Sequence, residues 1–206
     1  MNKVRLFLDT EFTDLRQDCE LISIGIVASI DGYEDNPCFY GESIDYSEDK
    51  CSDFVRTDVL PHLILGDKPQ AVVTNTGNFS SYAILGTEED ITMHLINWLH
   101  ELLGQTPDNV WQYGEDEPIE IWSDVLNYDW TLFRHLFEND GGLPNYIYYI
   151  PFDLSTAFRV NGINPDISRE DYARMHHSDE VDMIARKKHN SLYDAMIIYY
   201  CYDELM

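Results

Sequence analysis

Apolar and polar positions define the first element of the chain. Across Val4–Leu15 (VRLFLDTEFTDL), Val4, Leu6 and Leu8 alternate with Arg5, Phe7 and Asp9 in a run bulky and apolar enough for a buried strand. Glu20–Ser29 predicts a second strand, Asp31-Gly32 a hairpin turn and Asn36–Ile44 a third strand, together a β-meander. Ser52–Leu63, with Phe54, Val55, Val59 and Leu60, reads as a short amphipathic helix closed near Pro61. Ala71–Leu85 holds two β-rich runs around Asn75-Thr76-Gly77-Asn78, a hairpin or an ordered loop. Thr87-Glu88-Glu89-Asp90 starts a helix whose Ile91, Leu95, Trp98, Leu99 and Leu102 fall at helical spacing, with Gly104 as its stop.

The second half alternates. Trp111–Pro118 is an acidic loop, Ile119–Ser123 a short strand, and Tyr128–Phe137 a helix ended by Asn139-Asp140-Gly141-Gly142. Tyr146–Ile150 is expected as a strand, Asp153–Val160 as a helix, and Gly162–Lys188 as loop with one helix near Ser168–His177. Asn190–Glu204 is the closing helix. A meander followed by alternating helices and strands predicts an α/β fold, a mixed sheet flanked by helices, in one domain over residues 1–206.

Composition narrows the setting. An apolar fraction of 44% with 13% aromatics belongs to a globular chain. The N-terminus meets charge too early for a secretory leader, and no apolar run approaches a membrane span. Cys19, Cys38, Cys51 and Cys201 are scattered, which fits a reduced, cytoplasmic protein. The net charge of −25, with only 13 Lys and Arg, denies the chain a conventional basic face for nucleic acid. It avoids nucleic acid, mimics it, or binds it through metal ions that reverse the local sign.

Candidate chemistry begins where the first strand runs out, at Asp9-Thr10-Glu11. Residues two apart in extended chain point the same way, so both carboxylates project together, an arrangement that a cation between them relieves. With 38 acidic residues in 206, several such triplets are expected by chance, and most are solvated. Asp129 leads an apolar helical stripe (Leu132, Phe133, Leu136), and Asp194 leads another (Ile197, Ile198, Cys201), with His189 just before that helix. Singly, Asp129 reads as a first-turn acid favoured by the helix dipole, and Asp194 as the capping-box partner of an N-cap Ser191. As an ordered set, four carboxylates and a histidine match a two-metal phosphoryl-transfer site.

FLDTEFTDL, LNYDWTLF and KKHNSLYDA, in that order, resemble the three motifs of the DEDD superfamily of 3′–5′ exonucleases. The H-x-x-x-x-D form is similar to its histidine branch, above all the small stand-alone exoribonucleases related to RNase T and oligoribonuclease. The resemblance implies a ribonuclease H-like fold with a mixed five-stranded sheet and helices on both faces. It implies that Asp9, Glu11, Asp129 and Asp194 bind two Mg²⁺ or Mn²⁺ ions, with Asp9 bridging both. It implies that His189 is the general base, and that a 3′ end of single-stranded RNA or DNA loses nucleoside 5′-monophosphates. Homodimers are frequent among such relatives. Two positions depart from the family pattern: Asp14 stands where glycine is frequent, and Val125 where many relatives carry asparagine.

On the substrate side, Thr10, Phe12 and Leu15 lie where relatives meet the terminal bases. Phe12 is either a stacking surface or core. Arg186-Lys187-Lys188, the densest basic run, is either a backbone-phosphate contact through Lys187 and Lys188 or a solvated loop. Tyr146, Tyr148 and Tyr149 read as a buried aromatic strand, and His176-His177 as no site. The rival from another class is an acidic, non-enzymatic nucleic-acid mimic, or an inactive relative, docking on a basic partner.

Overall fold

Alternation along β1 (Val4–Phe12) sends Leu6 and Leu8 to one face of the sheet and Phe7 to the other, and all three are fully buried. This strand needs cover on both sides, and the chain supplies it. The computed structural model describes residues 3–104, 119–184 and 187–206. β2 (Leu21–Ile30) and β3 (Cys38–Ser43) complete an antiparallel meander with β1. β4 (Gln70–Asn75) and β5 (Ser80–Gly86) form a hairpin, with β5 parallel to β3. β6 (Glu120–Ser123) and β7 (Phe152–Asp153) extend the sheet in parallel on the other side of β1. The order is β4-β5-β3-β2-β1-β6-β7.

Helices α1 (Glu88–Leu102) and α2 (Asn127–Leu136) cover the face that carries Leu6, Leu8, Ile24 and Ile26, burying Trp98, Leu99, Leu132 and Phe133. Thr87 and Asp90 form a capping box at the start of α1, as its sequence predicts. On the opposite face, α3 (Leu154–Val160) and α6 (Ser191–Leu205) bury Leu154, Phe158, Ile197 and Ile198 around Phe7 and Val27. α4 (Arg169–Ala173) and α5 (Ser178–Ile184) lie in the segment leading to α6. None of the described helices is long and apolar enough to cross a membrane.

The α/β class, with a mixed sheet between helices, matches the ribonuclease H-like expectation; the strand count is seven rather than five. The surplus is the β4–β5 hairpin, where Ile84 and Leu85 are buried and give the β-rich run a reason to pair. The strand expected at Tyr146–Ile150 is reduced to one bridge between Ile147 and Ile119, and pairing with β6 resumes only at Phe152 and Asp153. Pro151 has no N–H to offer a ladder. Of the three tyrosines expected in a buried strand, only Tyr146 is buried, and Tyr149 is exposed.

Ser52–Leu63 forms a π-helical turn, Val55–Val59, running into a 3₁₀ turn, Leu60–His62, that contains Pro61. The polar stretch before α6 holds two short helices where one was expected. The acidic loop Trp111–Pro118, like Arg186 of the basic run, lies outside the described residues.

One glycine decides where α6 sits. A Cβ on Gly25 of β2 would lie 2.2 Å from the Leu192 backbone nitrogen and 2.3 Å from the Ser191 carbonyl oxygen. The first turn of α6 therefore rests directly on the strand backbone, against the partner of Asp9 in the ladder (Asp9↔Gly25). Gly25→Ala should push α6 away from β1 and destabilise the fold by about 3 kcal/mol, as overpacking does. Urea unfolding checks this, and a loss under about 0.5 kcal/mol, the range of an ordinary surface change, would contradict the contact.

Candidate active site

β1 outruns its parallel neighbour. Pairing with β6 ends at Phe7↔Trp122, whereas pairing with β2 continues through Asp9↔Gly25 and Glu11↔Ser23. Asp9 and Glu11 thus leave the strand on the face occupied by α6. There Ser23 Oγ and Ser191 Oγ share a 2.9 Å hydrogen bond that fixes the start of the helix.

Asp129 arrives from the first turn of α2 and is buried. Its Oδ1 accepts from the Thr10 backbone N–H (3.1 Å) and the Thr10 hydroxyl (2.6 Å), and its Oδ2 accepts from the Ser123 hydroxyl (2.5 Å). The acid is locked between the end of β1 and the end of β6. Leu132, Phe133 and Leu136 anchor its helix in the core, as the stripe in the sequence predicts.

The third arm is α6. Asn190 holds the N-cap position without a side-chain cap bond, so the expected capping role of Ser191 is replaced by its link to Ser23. Asp194 Oδ2 accepts instead from the His189 backbone N–H at 2.9 Å, tying the acid to the histidine. His189 has a φ of 65°, in the left-handed region that costs a non-glycine residue roughly 1–2 kcal/mol. Its ring meets Phe54 edge-on at 5.1 Å. Oxygen or nitrogen donors of Glu11, His189 and Asp194 all lie within 4.8 Å of one another. Asp9, Asp194 and His189 also line one cavity of about 210 Å³, together with Asp124, Arg169 and Lys188.

The electrostatics follow from this crowding. Burial first, then the carboxylates of Asp129, Asp194 and Glu11, hold Asp9 well above the usual carboxylate range. Burial and the charges of Asp194 and Asp129 push Glu11 to about 8. Burial takes Asp194 to about 7 against the opposing His189 N–H bond. Burial lifts Asp129 to about 6, although Ser123 and Thr10 favour its ionised form. Burial and the neighbouring Lys188 move His189 down, towards the neutral imidazole. Clustered oxygen donors of this kind, partly or fully buried, suit a hard divalent cation such as Mg²⁺ or Mn²⁺, which would relieve their repulsion.

The predicted substrate residues separate. Phe12 is half-buried against the core and stacks on Tyr128 with centroids 4.9 Å apart. Leu15 is exposed. Thr10 is buried, with its hydroxyl and its N–H both given to Asp129. Lys188 pairs with Glu170 at 2.9 Å on the cavity wall, whereas Lys187 lies over the Tyr193 ring at 4.2 Å. Asp14 lines a separate cavity with Arg16, Asp18 and Asp49.

Gly25, Asp124 and Arg169 join the site without a local motif to mark them, and Ser123 gains a defined supporting role. Ser123 supports Asp129, and Gly25 admits α6; a glycine inside an apolar strand run was the available signal. Asp124 borders the cavity and adds to the field on Asp9, held by Arg169 at 2.8 Å and by the Ser155 hydroxyl at 2.7 Å. No local pattern joins Asp124 to Arg169. Val125, beside it, has a φ of 53°, and its N–H donates to Asp153 at 3.0 Å.

A family model described as the 3′–5′ exoribonuclease Rv2179c-like domain matches residues 4–206. Two curated relatives come from Mycobacterium tuberculosis: the 3′–5′ exoribonuclease MT2234.1 of strain CDC 1551 / Oshkosh and the 3′–5′ exoribonuclease Rv2179c of strain ATCC 25618 / H37Rv. Each is 42% identical over 60 residues, 29% of this chain and 33% of the relative. The aligned stretch thus spans about a third of each relative's length.

Without a divalent ion, these carboxyls hold protons to higher pH when folded than when unfolded, where Asp and Glu titrate near about 3.9 and 4.3. Their contribution therefore favours the fold at low pH and is lost as pH climbs through about 6, 7 and 8. The Tm of EDTA-treated protein should fall between pH 5 and pH 8, and Asp9→Asn should flatten the fall. Mg²⁺ should raise the Tm more at pH 8 than at pH 6. Thermal melts indifferent to both pH and Mg²⁺ would contradict this account of the cluster.

Proposed function

Because the chain belongs to the 3′–5′ exoribonuclease Rv2179c-like family, we propose that it is a metal-dependent 3′–5′ exoribonuclease of the DEDD histidine type. It shortens single-stranded RNA from the 3′ end and releases nucleoside 5′-monophosphates. The observation that carries this reading is the convergence of Glu11, His189 and Asp194 from β1, the approach to α6 and α6 itself, with donor atoms within 4.8 Å. Asp9 and Asp129 fall outside that trio, and Asp9 feels the charges of Asp129, Asp194 and Glu11.

Asp9, Glu11, Asp129 and Asp194 would hold two Mg²⁺ or Mn²⁺ ions, which supply the positive charge that draws in the phosphodiester and stabilises its transition state. Thr10 and Ser123 keep the Asp129 carboxylate oriented. His189, neutral at physiological pH, takes a proton from the water that attacks the terminal phosphorus. The bond from phosphorus to the upstream O3′ breaks, leaving a new 3′-hydroxyl that is protonated from solvent, and His189 returns its proton to solvent. The Phe12–Tyr128 pair offers a stacking surface for a terminal base.

End-labelled RNA and DNA of one sequence should separate the possibilities. With Mg²⁺, the protein should shorten RNA stepwise from its 3′ end, faster than DNA. EDTA and Asp194→Ala should abolish this, and His189→Ala should slow it by roughly 10²–10⁴-fold. No cleavage with Mg²⁺ or Mn²⁺ would overturn the proposal and favour an acidic binding protein. Lys188→Glu, on the cavity wall, should raise KM more than Lys187→Glu does, and equal effects would remove Lys188 from the substrate path.

A further inference from the structure

Beneath His189 lies a chain of buried polar groups that the reaction, as derived above, does not use. Asn190 is 1% exposed, Tyr40 1% and Glu42 2%. The Asn190 side-chain amide nitrogen donates to the His62 carbonyl (2.9 Å) and to the Tyr40 hydroxyl (2.9 Å). The Tyr40 hydroxyl donates to Glu42 Oε1 at 2.7 Å, and the same oxygen accepts from the backbone N–H groups of Ile64 (2.6 Å) and Leu65 (3.2 Å).

Proton order along this chain is fixed by chemistry. A carbonyl can only accept, so the amide must turn its NH₂ towards His62. The second hydrogen of that NH₂ then meets the Tyr40 oxygen, and the tyrosine proton is free to go to Glu42. Each of these three side chains thus has one orientation.

The same groups secure both walls of the histidine's surroundings. One wall is the backbone: Asn190 directly follows His189, whose left-handed φ of 65° has to be maintained by its neighbours. The other is the segment that begins with Phe54, which meets the His189 ring, and ends at Leu65; the network grips it at the His62 carbonyl and at the Ile64 and Leu65 N–H groups. β3, which carries Tyr40 and Glu42, is the rigid base.

We propose that Tyr40, Glu42 and Asn190 are positioning residues that hold the His189 imidazole where it can take a proton from the attacking water. The proposal rests on the reading of His189 as the general base. A misplacement of about 1 Å can cost a proton transfer about a hundredfold. Loss of one hydroxyl from the network should therefore appear in turnover rather than in substrate binding.

The test is Tyr40→Phe, with Asn190→Ala as a second variant that removes both links from the amide. Tyr40→Phe should lower kcat by about tenfold to a hundredfold, leave KM for a single-stranded oligoribonucleotide within about twofold, and leave the protein folded by circular dichroism. In a His189→Ala background the same change should alter the residual rate by less than about twofold, because the group being positioned is gone. Tyr82→Phe, which removes a tyrosine hydroxyl bound to Glu101 instead, should leave kcat unchanged.

Imidazole NMR signals provide a readout that needs no activity. The His189 resonances of the wild type should shift or broaden in Tyr40→Phe and Asn190→Ala. An unchanged kcat, a loss that persists undiminished in His189→Ala, or His189 resonances that superimpose on the wild type would each overturn the proposal. A His189→Ala protein with full turnover would instead overturn the general-base assignment, and the imidazole signals would still judge whether the network holds the ring.

Discussion

Four carboxylates kept close together in partial burial are the constraint on which the architecture around the site depends. Burial raises the proton affinity of Asp9, Glu11, Asp129 and Asp194 alike, and at Asp9 and Glu11 the neighbouring carboxylates add their repulsion. Rigid elements oppose it from three directions. β1 is clamped between β2 and β6, α2 is anchored by Phe133 and Leu136, and α6 rests on Gly25. Each acid stands at the boundary between core and solvent, so the same burial that holds it in place also raises the cost of its charge.

This local arrangement gives the net charge of −25 a consistent place. Many of the described cations are already committed to acids: Lys3 to Glu120, Arg5 to Asp31, Lys50 to Glu20, Arg169 to Asp124 and Lys188 to Glu170. Little positive charge is left to form a basic face. A polyanionic substrate would be drawn in by divalent ions at the acid cluster rather than by the protein surface. The strong negative charge and a nucleic-acid substrate are then compatible.

The residues proposed to carry the chemistry stood out in the sequence only as an ordered set, since singly each also reads as a structural or solvated acid at the edge of a periodic element. Asp9 and Glu11 end an alternating strand, and Asp129 and Asp194 lead helical apolar stripes whose members are buried as the spacing predicts. The residues around them did not stand out. Ser123 meets Asp129 through its hydroxyl, Arg169 meets Asp124 from α4, and Tyr40 meets Asn190 from β3, contacts that leave no periodic trace. Tyr146–Ile150 shows the opposite failure: β-forming residues alone did not make a strand where Pro151 cannot donate to a ladder. The β4–β5 hairpin enlarged the sheet because one of its two apolar runs had core to bury.

Anomalous-difference crystallography on crystals soaked in Mn²⁺ tests the central claim most directly, since 38 acidic residues offer many competing places for an ion. Two anomalous peaks ligated by Asp9, Glu11, Asp129 and Asp194, both absent in Asp9→Asn, are the predicted result. Peaks confined to other surface acids, with none at these four side chains, would contradict the account.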